Sequence, residues 1–177
     1  MRSDRRPLSP LDAAGLDRLA LRYVERFATT RARLAAYLTR KVRERGWEGD
    51  PPQTAALAER MAELGYVDDR AYGEAKAAAL ERRGLGPRRV RDALRHAGVT
   101  GADAERIEEG AQEGAEAAAL AFARRKRFGP FASAPADRIA QQKQIATMMR
   151  AGHALDLSRR IVALDPDDQF GTAINEL

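Results

Sequence analysis

Gly65-Tyr66-Val67-Asp68-Asp69-Arg70-Ala71-Tyr72 opens the stretch that decides the fold, and Leu85-Gly86-Pro87-Arg88-Arg89-Val90 and Leu94-Arg95-His96-Ala97-Gly98 complete it. It reads as helix, turn, helix, turn, helix. Upstream, Thr54 is placed to cap a helix whose apolar residues Leu57, Met61 and Leu64 fall at i, i+4 and i+7, one stripe of the helical period. Gly65 then supplies the positive φ that ends it. Asp68 or Asp69 can accept hydrogen bonds from the free N–H groups of the next helix and favour its positive end. That second helix runs through Tyr72, Ala75 and Ala79 and stops at Gly84 and Gly86. Pro87 suits the first position of a third helix, because its missing N–H costs nothing there and its φ is already helical. Val90 and Leu94 form its buried pair, Arg95 and His96 sit in its negative last turn, and Gly98 closes it.

The order and spacing of Gly65, Tyr66, Asp68, Asp69, Tyr72, Gly86, Pro87, Arg88 and Val90 resemble the middle repeat of the RecX family of regulatory proteins. That repeat carries a Gly-Tyr-hydrophobic-Asp-Asp signature, a nearby aromatic and a later Gly-Pro-basic-basic-aliphatic turn. Tyr72 stands where the family usually has Phe. The likeness spans roughly residues 15 to 164. Leu19-Ala20-Leu21-Arg22-Tyr23 through Thr30, Arg33, Leu34 and Leu38 is similar to the first repeat. Ala117 to Arg127, and Gln142-Lys143 through Met148, Met149 and Gly152, are similar to the third, with His153 in place of an aromatic.

Repetition is also visible within the chain itself. Leu34/Leu38 and Val90/Leu94 are i, i+4 pairs preceded by basic clusters, and Gln144/Met148 with Gly152 repeats the spacing of Val90/Leu94 with Gly98. The period is a little over fifty residues, which points to repeated three-helix units that bury their apolar faces against neighbours. The breaks divide the chain into a flexible lead-in (1–14), a first repeat (15–50), a second (51–100), a third (101–164) and an acidic flexible tail (165–177). Gly46, Gly49, Pro51 and Pro52 mark the first joint, Thr100-Gly101 the second, and Asp165-Pro166 the end of the last helix. The expected fold is all-α: an elongated, curved array of tandem three-helix repeats.

Composition agrees with that class. Only 6% of the 177 residues are aromatic and alanine is abundant, so thin helix-to-helix packing is expected rather than one large core. No period-2 strand pattern and no run of membrane-spanning length occurs, and Met1 to Pro10 lacks an apolar signal core. A cytoplasmic monomer is the expectation. The absence of cysteine removes disulfides, thiolate-bound zinc and thiol catalysis. The two histidines, His96 and His153, are read as helix-end or surface residues. No phosphate-binding glycine loop is present. Asp68 and Asp69 are explained by capping more simply than by catalysis. The chain is therefore read as a non-enzyme without cofactor or metal.

Met61, Met148, Met149, Phe122 and Phe128 read as core residues, Tyr66 and Tyr72 as staples of the turn around the Asp-Asp pair, and Trp47 as packing beneath the first joint in preference to an exposed partner contact. What remains is charge. The formal net charge is +5 and the basic residues cluster. Arg31, Arg33, Arg40, Lys41, Arg43 and Arg45 lie in the first repeat. Arg82, Arg83, Arg88, Arg89 and Arg91 surround the Gly-Pro turn. Arg124, Arg125, Lys126 and Arg127 end a helix of the third repeat. Asp165, Asp167, Asp168 and Glu176 reverse the sign in the tail. Such ridges suit a phosphate backbone or an acidic protein groove, although a solvated helix face is the ordinary role of any single arginine.

The resemblance implies a regulator of the RecA recombinase, binding RecA and its filaments on single-stranded DNA with weak direct DNA contact, and limiting recombinase, ATPase and co-protease activity in repair and the SOS response. Candidate contacts are Arg31, Arg33, Arg82, Arg83, Arg88, Arg89, Arg91, Arg124, Arg125 and Lys126. Gly65, Tyr66, Asp68, Asp69, Tyr72, Gly86 and Pro87 are expected to be structural. The alternative is a stand-alone DNA-binding protein of helix-turn-helix type, although the helix 87–97 offers no Asn or Gln for adenine. A helical adaptor for another protein is a third reading.

Overall fold

The computed structural model describes residues 9–166, and every regular element among them is helical. In chain order these are α1 (Ala13–Val24), α2 (Arg31–Arg45), α3 (Thr54–Glu63), α4 (Asp69–Glu81), α5 (Pro87–Ala97), α6 (Gly101–Glu113), α7 (Ala115–Lys126), a 3-10 turn (Gly129–Phe131), α8 (Arg138–Arg150) and α9 (Leu155–Val162). Residues 1–8 of the expected lead-in and 167–177 of the expected tail lie outside the described residues. The chain forms two compact units. One takes the residues up to Tyr72 together with Ala97–Val99, the other takes Gly73–His96 and the chain from Thr100 onward.

In the first unit, Leu16, Ala20, Leu34, Leu38, Leu57, Ala58, Met61 and Val67 form a buried core. Local chemistry sets the helix starts: Asp12 Oδ1 accepts from the N–H of Gly15 at 2.7 Å, and Thr30 Oγ1 from that of Arg33 at 3.3 Å. Thr30 Oγ1 also donates to the carbonyl of Ala97. Residues 9–14 differ from a flexible lead-in. Leu11 is buried in the core and pairs with Trp47 through Leu11 N–H to Gly46 O (3.0 Å) and Glu48 N–H to Leu11 O (2.9 Å). Trp47 packs on the same core and donates its indole N–H to the carbonyl of Asp50.

Two expectations about the middle stretch change. Thr54 is the first residue of α3 rather than its cap, and its hydroxyl pairs with that of Thr39 at 2.9 Å. Leu64, expected on the buried stripe, is 61% exposed, and Ala58 takes its place inside. The cause is the way α3 ends. Gly65, at φ +79°, donates to Ala62 O and Tyr66 donates to Met61 O, the double bond pattern of a glycine-closed helix. That reversal brings Val67 onto the core and leaves Leu64 and Tyr66 outside. The second helix does run through Tyr72, Ala75 and Ala79 as α4, and its buried positions are Gly73 and Ala77, with Ala75 exposed.

In the second unit, α7 packs against α8, α9 and the 3-10 turn. Ala115, Ala119, Phe122 and Ala123 of α7 meet Met148, Ala151, Leu157, Ile161 and Val162. The small residues on α7 allow close approach, which is how an alanine-rich chain closes a core without large side chains. Met149, expected in the core, is exposed instead. The repeated apolar pairs are among the most buried residues of the chain: Leu34, Leu38, Val90, Leu94 and Met148 are each 1% exposed or less.

Candidate partner-binding surface

The Gly86-Pro87 turn is anchored to the end of α8. Gly86 N–H donates to Ala151 O at 2.9 Å and Arg88 N–H to Gly152 O at 3.3 Å. A Cβ added at Gly86 would lie 2.5 Å from the Gly152 carbonyl oxygen, so this glycine is required by close backbone approach. Pro87 is the first residue of α5, as its fixed φ favours. His153 continues the same contact. It is 4% exposed, its Nε2–H faces the Gly84 carbonyl at 3.1 Å, and its ring lies 5.5 Å from that of Phe122. Burial pushes its pKa down, and the carbonyl of Gly84 opposes that only in part. The expected helix-end histidine is thus a core residue. His96, by contrast, is exposed, with Nδ1 at 2.6 Å from Asp92 O.

This anchoring sorts the arginines around the turn. Arg89 Nε donates to the carbonyl of Arg150 at 2.9 Å, so its guanidinium supports the negative end of α8. Arg91 Nε pairs with Glu108 at 2.8 Å. Arg88 makes no side-chain hydrogen bond or ion pair with any described residue, and neither do Arg82 and Arg83, which follow the end of α4 and are exposed. Arg88, Arg91 and Arg95, at i, i+3 and i+7, line one wall of a groove of about 660 Å³ with Arg160 of α9. Asp92, Glu113, Glu116 and Asp156 line the same groove, so its charge is mixed.

The remaining candidates lie elsewhere. Arg124 and Arg125 of α7 sit over the rings of Phe131 and Phe122, at 5.1 and 5.4 Å, and Lys126 is exposed at the helix end. Arg31 and Arg33 belong to the first unit and hold it together. Arg31 is the first residue of α2; its backbone N–H donates to Asp69 Oδ1 at 2.8 Å, its Nε to Asp69 Oδ2 at 3.1 Å, and its Nη1 to Glu59 at 2.9 Å. Hydrogen bonds to Glu59 and Asp69 raise its pKa above the ordinary arginine value. Arg33 donates to the Tyr72 hydroxyl and sits over the Tyr72 ring. The cap of α4 is Asp68, whose Oδ1 accepts from Ala71 N–H at 2.8 Å, which leaves Asp69 for α2. Leu64 and Tyr66 were missed as surface groups; both stand exposed beside the signature. Their exposure follows from the glycine reversal, which spacing alone does not reveal.

Among the described residues the fold is thus all-helical, with the Gly86-Pro87 turn anchored and several arginines facing outward. Regulatory protein RecX of Myxococcus xanthus is 31% identical over 160 residues, covering 85% of this chain and 86% of its own. That of Halorhodospira halophila is 33% identical over 153 residues, covering 86% and 89%. The crystal structure of RecX from Lactobacillus salivarius superposes with a TM-score of 0.63 at 17% identity, over 84% of this chain and 93% of that one, a likeness of fold. A scan against protein-family models finds no match. The chain belongs to the RecX family of regulatory proteins.

Proposed function

We propose that this protein is a non-catalytic regulator that binds the RecA recombinase and its filament on single-stranded DNA, and restrains recombination, ATP hydrolysis and co-protease activity. Membership of the RecX family supports the reading. The observation that carries it to residues is the anchored Gly86-Pro87 turn, which presents Arg88 without a side-chain partner among the described residues at the rim of a groove, with Arg82 and Arg83 exposed before it. Arg31, Arg33 and Arg89 are less suited to a partner, because their guanidiniums already serve internal acceptors. Tandem repeats favour a polymer partner, since linked contacts to successive subunits gain through effective concentration. Binding alone then caps or loosens a filament, with no chemistry required.

A DNA-reading α5 is less well supported. The carboxylates of Asp92, Glu113 and Glu116 share the groove and repel phosphates. The test is single-stranded-DNA-dependent ATP hydrolysis by the cognate RecA while the protein is titrated in. Loss of activity well below one molecule per RecA subunit is expected, with Arg83→Glu/Arg88→Glu requiring more protein for the same effect. No effect at any ratio, together with tight binding to DNA alone, would move the function to the DNA-binding reading.

A further inference from the structure

The outward side of α7 has no helix packed on it among the described residues. Ala115, Ala119, Phe122 and Ala123 turn inward to meet α8 and α9. Ala117 and Ala121 are exposed, Leu120 is half-buried, and with Phe131 they line an apolar recess of about 530 Å³. Its two ends carry opposite charge, Glu116 at the N-terminal end and Arg124 at the other. We propose that this recess is the contact face of a symmetric homodimer, in which α7 packs antiparallel on α7 of a second copy.

The charge pattern selects that occupant. A two-fold interface places one surface against itself, so it forms where a surface complements its own rotated copy. With the axis at Leu120, Glu116 and Arg124 each lie four residues from it, about 6 Å along the helix. The antiparallel arrangement then sets Glu116 of one copy opposite Arg124 of the other, twice per dimer, whereas a parallel one sets like charges together. A ligand of single charge satisfies one end of the recess and repels the other; a second copy satisfies both. Neither group is held strongly within the chain. Arg160 comes only to 3.9 Å of Glu116, with the two side chains 67% and 68% exposed. Arg124 stands over the Phe131 ring at 5.1 Å and makes no ion pair with a described residue. At the centre Leu120 meets its copy, and the methyl groups of Ala117 and Ala121 beside it let the helices approach to about 8 Å, a close helix pair. Pairing covers an apolar surface that otherwise faces water. About two turns of helix bury less than the ~1,200 Å² of a standard interface, so the dimer is reversible and forms at high concentration.

Sedimentation equilibrium of the full chain over a rising concentration series tests this, and a reversible monomer-dimer equilibrium is expected. Glu116→Arg and Arg124→Glu, both at exposed positions, should each raise the dissociation constant at least about tenfold, because two attractive pairs become repulsive. Mixing the two variants should restore dimers as heterodimers, since each reversed charge then faces its complement. A parent that stays monomeric throughout would overturn the proposal. So would dimers that both reversals leave unchanged, or variants that remain apart when mixed. The absence of cysteine adds a second measurement. Ala121→Cys treated with a short bis-maleimide should give cross-linked dimers, and Ala75→Cys, exposed on α4, should not. Equal cross-linking at both positions would put the contact elsewhere and also overturn it.

Discussion

Asp69 accepts two hydrogen bonds from Arg31, one from the backbone N–H at 2.8 Å and one from Nε at 3.1 Å. The second aspartate of the signature thus serves the first residue of α2, 38 residues earlier in the chain, while Asp68 caps α4. Two adjacent carboxylates serve the N-termini of two different helices. Asp69→Ala should cost about 1–2 kcal/mol by losing a cap and a charge-assisted bond. Asp69→Asn should recover part of that loss. Arg31→Ala should cost less, because its guanidinium is half in solvent and its surface pair with Glu59 contributes little. Urea denaturation of the three variants checks the order.

The adjacent arginines of the Gly-Pro turn should separate function from stability. Arg89→Ala removes the bond to the Arg150 carbonyl and should destabilise by about 0.5–1.5 kcal/mol. Arg88→Ala should stay within about 0.5 kcal/mol of the parent. Its effect should instead appear in RecA inhibition, so denaturation midpoints and ATPase titrations on both variants distinguish the two roles.

Two glycines should respond in opposite directions to alanine. Gly86→Ala puts a methyl against the Gly152 backbone, at 2.5 Å from its oxygen, and should cost about 1–3 kcal/mol. Gly110 lies inside α6 with open space around it, and Gly110→Ala should stabilise by about 0.5–1 kcal/mol. Thermal melting of both variants is the measurement.

Acid should weaken the second unit through His153. Burial lowers its folded-state pKa below the unfolded value of about 6.5, so the unfolded chain binds more protons and stability falls as pH drops below that point. The slope is at most about 1.4 kcal/mol per pH unit for one group. His153→Gln should lose this component between the unfolded value and the onset of carboxylate titration. Comparing urea midpoints of parent and variant across pH 7.5 to 5.5 gives the result.

Leu94, 1% exposed, should cost about 2–5 kcal/mol when replaced by alanine. Leu64→Ala, at a residue that shares the same apolar character, should change stability by less than about 0.5 kcal/mol. Denaturant unfolding of the pair tests whether the glycine reversal, rather than hydrophobic periodicity, decides which leucine is inside.

Leu64 and Leu94 mark the boundary of what periodicity can tell. Both lie on apolar stripes, and only the path of the chain after Gly65 puts one outside. His153 is a similar case. Its place after a glycine identified it as a helix-end residue, but its burial depends on Gly84 and Phe122, which lie far away in the sequence. The basic clusters were legible as clusters, yet Arg88 and Arg89 are indistinguishable in composition and differ only because Arg150 O is within reach of one.

The sequence by itself determined the helical class, the glycine and proline punctuation, the repeated buried pairs and the family, because these rest on interactions among residues a few positions apart and on their order. Tertiary structure alone decided which carboxylate serves which helix, which arginine is engaged and which apolar residue faces water. Those outcomes depend on the approach of surfaces separated by tens of residues, where a displacement of a few ångströms makes or breaks a hydrogen bond.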